Sequence, residues 1–164
     1  MESIRESFGP PVILGWREWF ALPEVGIPAI KAKLDTGARS SSLHVRHMEI
    51  FRKGGKKWVR FEVDFDPRNP LLLSKAELPV LDERIVRNSG GDGEHRVVIR
   101  TSIEIAGRVW EADVTLTSRH DMRFRMLIGR EAMSGRILVD AGRSYLAGRK
   151  KKVTRKKVAR KKAR

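Results

Sequence analysis

Lys33-Leu34-Asp35-Thr36-Gly37-Ala38 is the stretch on which the reading of this chain turns. An apolar segment, Val25–Leu34, leads into a carboxylate, and the glycine two residues on lets the backbone bend tightly at that point. Thr36 offers a hydroxyl to brace the bend, and small or polar residues follow it as far as Ser42. An Asp-x-Gly run alone also forms ordinary turns in which the Asp only accepts from nearby backbone N–H groups. A second run gives this one weight. Met126-Leu127-Ile128 is short and continuously apolar, as a strand buried on both faces requires, and it ends at Gly129-Arg130.

Outward from these two runs the chain reads as β-rich. Val12–Phe20 and Val25–Leu34 look like strands around a turn at Pro23-Glu24. Leu43–Phe51 and Trp58–Phe65 alternate apolar with polar residues, and Gly54-Gly55 between them suits a tight hairpin. Asp66-Pro67-Arg68-Asn69-Pro70 breaks the pattern as a loop. Leu78–Val86 reads as one strand interrupted at Pro79, followed by the glycine-rich stretch Asn88–Gly93. Arg96–Ala106 and Arg108–Thr117 form the clearest hairpin, turning at Ala106-Gly107, with Ile103, Ile105, Val109, Val114 and Leu116 on its buried side. One helical turn is expected at Arg130–Met133 and a last strand at Arg136–Asp140.

The length of 164 residues suits one domain, and 40% apolar residues are enough for a core. No cysteine is present, which excludes disulfides, a thiol nucleophile and Cys-ligated zinc, and fits a reducing compartment. Met1–Phe20 carries Glu2, Arg5, Glu6, Arg17 and Glu18 without an apolar core, so no signal peptide is expected. No apolar run reaches membrane-spanning length. A cytoplasmic protein is the expectation. The formal charge is +15, but Arg149–Arg164 holds eleven Lys or Arg and no acid, leaving 24 basic against 20 acidic residues, a net of +4, for the rest. Residues 1–148 are therefore read as the domain. Residues 149–164 are read as a disordered basic tail, which could contact nucleic acid or a ribosomal surface through phosphates.

Asp35-Thr36-Gly37-Ala38 together with Leu127-Ile128-Gly129-Arg130 resembles the retropepsins, one-domain aspartic peptidases that act as homodimers. More closely, Lys33–Leu43, Val109–Thr117 and Asp121–Ala132 resemble a bacterial retropepsin-like group that includes the RimB peptidases and is often labelled ATP-dependent zinc protease. The resemblance spans roughly Val12 to Leu146. It implies an all-β, retropepsin-like (acid protease) β-barrel with one short C-terminal helix. It implies Asp35, Thr36 and Gly37 as the catalytic turn, paired with Asp35 of a second chain, because no other Asp here is followed by Thr-Gly. Ala38, Arg39, Gly129 and Arg130 would bind substrate beside that turn. Arg87, Ser89, Gly90 and Gly91 would do so from a glycine-tipped flap at Asn88–Gly93, with Gly54-Gly55 as the other flap candidate. Viral retropepsins usually carry an acid where Arg39 stands. Arg130 should then pair with Glu131 or Asp121, leaving Arg39 to face the cleft.

Neither zinc nor ATP finds residues to hold it. There is no His-Glu-x-x-His, and His44 and His47 are three apart, on opposite faces of a strand. His95 and His120 stand alone, and no Gly-x-x-x-x-Gly-Lys-Ser/Thr loop occurs. No metal or other cofactor is expected. Lys33, Arg39, Arg84, Arg87, Arg96, Arg119, Arg123, Arg125 and Arg130 crowd the motif regions, which suits acidic peptides. The RimB resemblance names one: glutamates that a RimK-type ligase adds to the C-terminus of a small-subunit ribosomal protein. The competing reading is a non-catalytic module of the same fold that docks on ribosome or nucleic acid through its tail.

Overall fold

The structure, a computed structural model, describes residues 9–87, 91, 93–118 and 123–148, without the side chains of Val86 and Arg87. The stretch read as one strand from Val12 to Phe20 is two, β1 (Val12–Gly15) and β2 (Arg17–Leu22). The chain changes partner at Trp16. β1 pairs in parallel with β12 (Ile137–Asp140), whereas β2 pairs antiparallel with β3 (Ile27–Leu34). Between β2 and β3, Pro23–Val25 forms a 3-10 turn closed by Gly26 at φ 76°. β4 (Ser41–His44) and β5 (Arg46–Lys53) likewise divide at Val45, where the chain leaves one sheet for another. β6 (Lys56–Asp64) returns along β5 through Gly54-Gly55, at φ 60° and 77°, angles that favour glycine.

Leu78–Val86 is corrected in the same way. β7 (Leu73–Pro79) completes a three-stranded sheet with β5 and β6, and β8 (Asp82–Arg87) belongs to the larger sheet. Pro79 has no N–H to extend the ladder, and two residues make the crossing. Val80 N–H still donates to Lys57 O at 3.0 Å, and Leu81 N–H already donates to Val98 O at 2.8 Å. β9 (Gly93–Ile105) and β10 (Arg108–Thr117) form the expected hairpin, with Ala106 and Gly107 at φ 53° and 72°. Ile103, Ile105, Val114 and Leu116 are buried as expected, but Val109 is 55% exposed. In β10 the inward residues are Trp110, Ala112, Val114 and Leu116, so Val109 has the outward parity.

β11 (Met126–Ile128) lies between β3, parallel to it, and β4, antiparallel to it. Six strands in the order β10-β4-β11-β3-β2-β9 close into a barrel because β9 also pairs with β10; β8 flanks β9 from outside. Phe20, Ile30, Leu43, Ile99, Leu116 and Ile128 fill the barrel, each fully buried. The helix α1 (Arg130–Met133) is a single turn. This is the all-β barrel with one short C-terminal helix that the sequence implied. Residues 149–164 lie outside the described residues. Among the described residues no helix is long and apolar enough to cross a membrane.

Candidate active site

The Asp35 turn is held by the strand beneath it. Leu34 N–H donates to the Trp16 carbonyl and Asp35 N–H to the Ile128 carbonyl, each at 2.8 Å. This extends the β3–β11 pairing one residue past its register of Ile128 with Leu34. Ala38 N–H then closes the turn onto Asp35 O at 3.2 Å. Gly37 N–H donates to Asp35 Oδ1 at 2.9 Å, which fixes the carboxylate's orientation. Asp35 is half-buried, while Thr36 and Gly37 are exposed. Among the described residues Oδ2 has no hydrogen-bond donor, so one oxygen is oriented and the other is left for what comes into the turn.

The second motif grips the other side of the turn. Arg130 and Glu131, the first residues of α1, donate their N–H groups to the Ala38 and Arg39 carbonyls at 2.8 and 3.1 Å. Those donors have no partner within a helix's first turn, so the loop supplies one. Gly129 N–H donates to the buried Ser41 Oγ at 3.0 Å. Arg130 Nη1 donates to the Thr36 carbonyl at 3.0 Å. Arg130 was expected to pair with Glu131 or Asp121. Glu131 instead takes Arg39, with Nε to Oε1 at 2.7 Å, and Asp121 lies outside the described residues. Arg39 is thereby tied to α1, although 79% of its side chain is exposed.

Asp35, Thr36, Gly37, Ala38, Arg39, Gly129 and Arg130 thus come together, as the two motifs predicted. The other substrate-binding candidates belong to a different hairpin. Arg87 ends β8 and Gly91 sits in the β8–β9 connection at φ 84°. Ser89, Gly90 and the Arg87 side chain lie outside the described residues. Residues 93–96 of β9 pair with β8 alone, since the β9–β10 ladder stops at Val97 opposite Leu116, so this hairpin extends as a two-stranded arm. Gly54-Gly55 tips the β5–β6 hairpin of the three-stranded sheet. Sequence reasoning missed Ser41, whose hydroxyl positions Gly129; one serine in a run of three carries no signal of its own.

His44 is buried at the end of β4, and His47, on β5, lies 3.9 Å from Glu62. Among the described residues no three His, Asp or Glu side chains gather as a metal site.

Residues 13–150 match the RimB-like family, described as "Retropepsin-like aspartic endopeptidase RimB". Proteins named "Probable alpha-L-glutamate ligase" from Shewanella pealeana and Desulfotalea psychrophila are 43% and 44% identical over 138 and 128 residues, or 84% and 78% of this chain. The chain spans only 30% and 28% of those relatives' length. The crystal structure of a Legionella pneumophila protein of unknown function matches with a TM-score of 0.70 at 26% identity, covering 83% of this chain and 98% of that one. With the Asp-Thr-Gly turn seated on the Ile-Gly-Arg strand and a family match running nearly from end to end, the chain belongs to the RimB-like retropepsin-like aspartic endopeptidases.

Proposed function

We propose that the chain is an aspartic endopeptidase that works as a symmetric homodimer and cuts acidic, glutamate-rich peptide extensions, such as those on a ribosomal protein. The observation that carries this reading is the Asp35 carboxylate: half-buried, oriented through Oδ1 by Gly37 N–H, and with Oδ2 unengaged among the described residues. One carboxylate per chain calls for a second, and a two-fold contact supplies it from the twin Asp35. Two carboxyls held close share one proton. The ionised one takes a proton from a water as that water attacks the scissile carbonyl, while the protonated one donates to the carbonyl oxygen. Their roles exchange when the amine leaves. The β8–β9 arm acts as the flap that excludes water.

Glutamate as the substrate chemistry draws support from the names of the relatives, which concern joining α-L-glutamate. The ligase activity belongs to proteins of which this chain matches less than a third, so the shared element is the amino acid and not the reaction. Residues 149–164 serve to dock the enzyme on ribosome or nucleic acid.

The test is hydrolysis of a glutamate-tailed peptide and its neutral counterpart by the intact protein and by Asp35→Asn. The amide keeps the oxygen that accepts from Gly37, so the fold should persist while kcat falls by at least about 10³-fold. Cleavage at full rate by Asp35→Asn sinks the aspartic mechanism. Equal rates on both peptides sink the acidic substrate.

A further inference from the structure

A groove of about 590 Å³ opens over Lys31 on the outward face of β3, apart from the Asp35 turn. Ala32 and Leu34 point into the barrel, so Lys31 and Lys33 take the outer face of β3. Trp19 of β2 stands opposite Lys31 in the ladder. Residues 123–125 arrive at the same level, because Met126 pairs with Ala32. The loop after β6, Phe65 to Arg68, forms the facing wall.

The charges of this groove are unbalanced. Lys31, Arg68 and Arg123 line it, and among the described residues none of the three has a carboxylate partner. Elsewhere Arg60 pairs with Glu77, Arg84 with Asp82, Arg96 with Glu94 and Arg100 with Asp113. Other cations without a carboxylate partner among the described residues, such as Lys33, Lys53 and Lys56, stand outside this groove. Within the groove Arg125 is matched by Asp64 at 3.5 Å, and Asp66 Oδ1 accepts the Arg68 backbone N–H at 3.0 Å. Burial holds the Lys31 ammonium below its ordinary pKa, and the positive charges of Arg17, Arg68 and Arg123 push it the same way. Such a cluster is self-repelling until an anion enters it.

The walls also suit the apolar part of an acidic side chain. Phe124 lies under Lys31, with Nζ 5.7 Å from the ring centroid. Trp19 stacks on Tyr145 at 6.0 Å, and Phe124 meets Trp16 edge-on at 5.8 Å. These rings already face one another, which favours a peptide over bases that must stack on open rings. Asp35 lies four residue steps along the chain from Lys31, about 13 Å at the rise of a strand. An extended peptide has the same rise.

We propose that this groove is an extended substrate site that receives carboxylates about four residues away from the bond cut at Asp35. The inference rests on the endopeptidase reading above for its link to cleavage. Arg68 and Arg123 are exposed, and neither touches the Asp35 turn, so both tolerate replacement.

The test uses the full chain, its Arg68→Gln/Arg123→Gln double variant and, separately, Lys31→Met. Steady-state kinetics are measured on peptides with a long tail (about six glutamates) and a short one (about two), which cannot span the distance. Binding of the labelled long peptide is followed by anisotropy in the Asp35→Asn background, where the basic tail is common to all variants. The double variant should raise KM for the long tail about tenfold, leave kcat in place and leave the short peptide unaffected. Unchanged KM on the long tail overturns the groove while leaving the peptidase reading intact. Absence of cleavage by the wild type, with long-peptide binding still lost in the double variant, removes the peptidase reading and keeps the groove. Variants that lose affinity for a single-stranded RNA probe but not for the peptide make the groove a nucleic-acid site and overturn the proposal.

Discussion

A Cβ placed on Gly129 would stand 2.6 Å from the Ser40 carbonyl carbon and oxygen and 2.8 Å from the Arg39 carbonyl oxygen. Its φ of −95° is open to any residue, so glycine is required here by what passes beside it and not by its own backbone angle. The atoms it would strike are main chain, and the neighbouring Arg39 carbonyl is pinned by Glu131 N–H, so they cannot swing aside. Gly129→Ala should lever the Asp35 turn off β11, cost about 2–4 kcal/mol in urea unfolding and lose more activity than stability alone explains. Glu18 is the other residue whose replacement should be felt. It is fully buried, and its carboxylate accepts from three backbone N–H groups: Gly15 at 2.6 Å, Leu146 at 2.9 Å and Ala147 at 3.1 Å. Glu18→Ala leaves three donors without an acceptor and should cost about 3 kcal/mol or more in the same assay. Tyr145 precedes the released segment, so its stacking on Trp19 should loosen as well. In the sequence Glu18 was only one charge among several near the N-terminus. Two of its three partners lie 128 and 129 residues on, a separation that no local pattern reports.

At the scale of elements, β3 carries Lys31 of the basic groove on its outward face and runs on into the Asp35 turn, and the groove has a stability cost. Lys31 has a folded pKa below its ordinary 10.5, through burial first and then Arg17, Arg68 and Arg123. Between the two values the unfolded chain binds more protons, so stability rises with pH across that window. Below it, both states are protonated and the repulsion is felt in full. Lys31→Met should therefore raise the unfolding free energy at neutral pH, by no more than about 1 kcal/mol because solvent screens a partly exposed charge. The gap to wild type should close as pH approaches 10.5; calorimetry at both ends of the range reads it, and a gap that widens with pH contradicts the assignment. Elements set by short-range chemistry were legible beforehand: the turns at Gly54-Gly55 and Ala106-Gly107, and the Asp-Thr-Gly and Ile-Gly-Arg runs that meet in the site. Elements set by a change of partner were not. Nothing local at Trp16, Val45 or Pro79-Val80 announces that the next strand joins a different ladder. The groove escaped for a related reason, since its walls come from β2, β3 and two loops whose proximity only the closed barrel creates.

At the scale of the molecule, the β1–β12 ribbon stands at the same end of the barrel as the Asp35 turn. β1 leads into Trp16, whose carbonyl holds Leu34, and β12 follows α1, whose first N–H groups hold Ala38 and Arg39. Ile13 and Leu138 are opposite one another in this ribbon and are 60% and 58% exposed, while their neighbours Leu14 and Ile137 are buried. On the proposed homodimer reading, an exposed pair of large apolar side chains at this end of the barrel is where a two-fold contact would bring two Asp35 turns together. In such a contact each substitution counts twice, once from either chain. Ile13→Asp or Leu138→Asp would set like charges near the axis and should weaken association by about 10³-fold or more. The fold should survive, since both side chains already face solvent, and circular dichroism and Tm check that. Sedimentation should then give a monomer, and cleavage should vanish at concentrations where wild type is active. If the site is shared as proposed, activity per wild-type chain should itself fall on dilution through the dimer Kd. A variant that stays monomeric in the ultracentrifuge yet cleaves at the wild-type rate would break the link between pairing and catalysis, and an unperturbed dimer would move the contact to another face of the barrel.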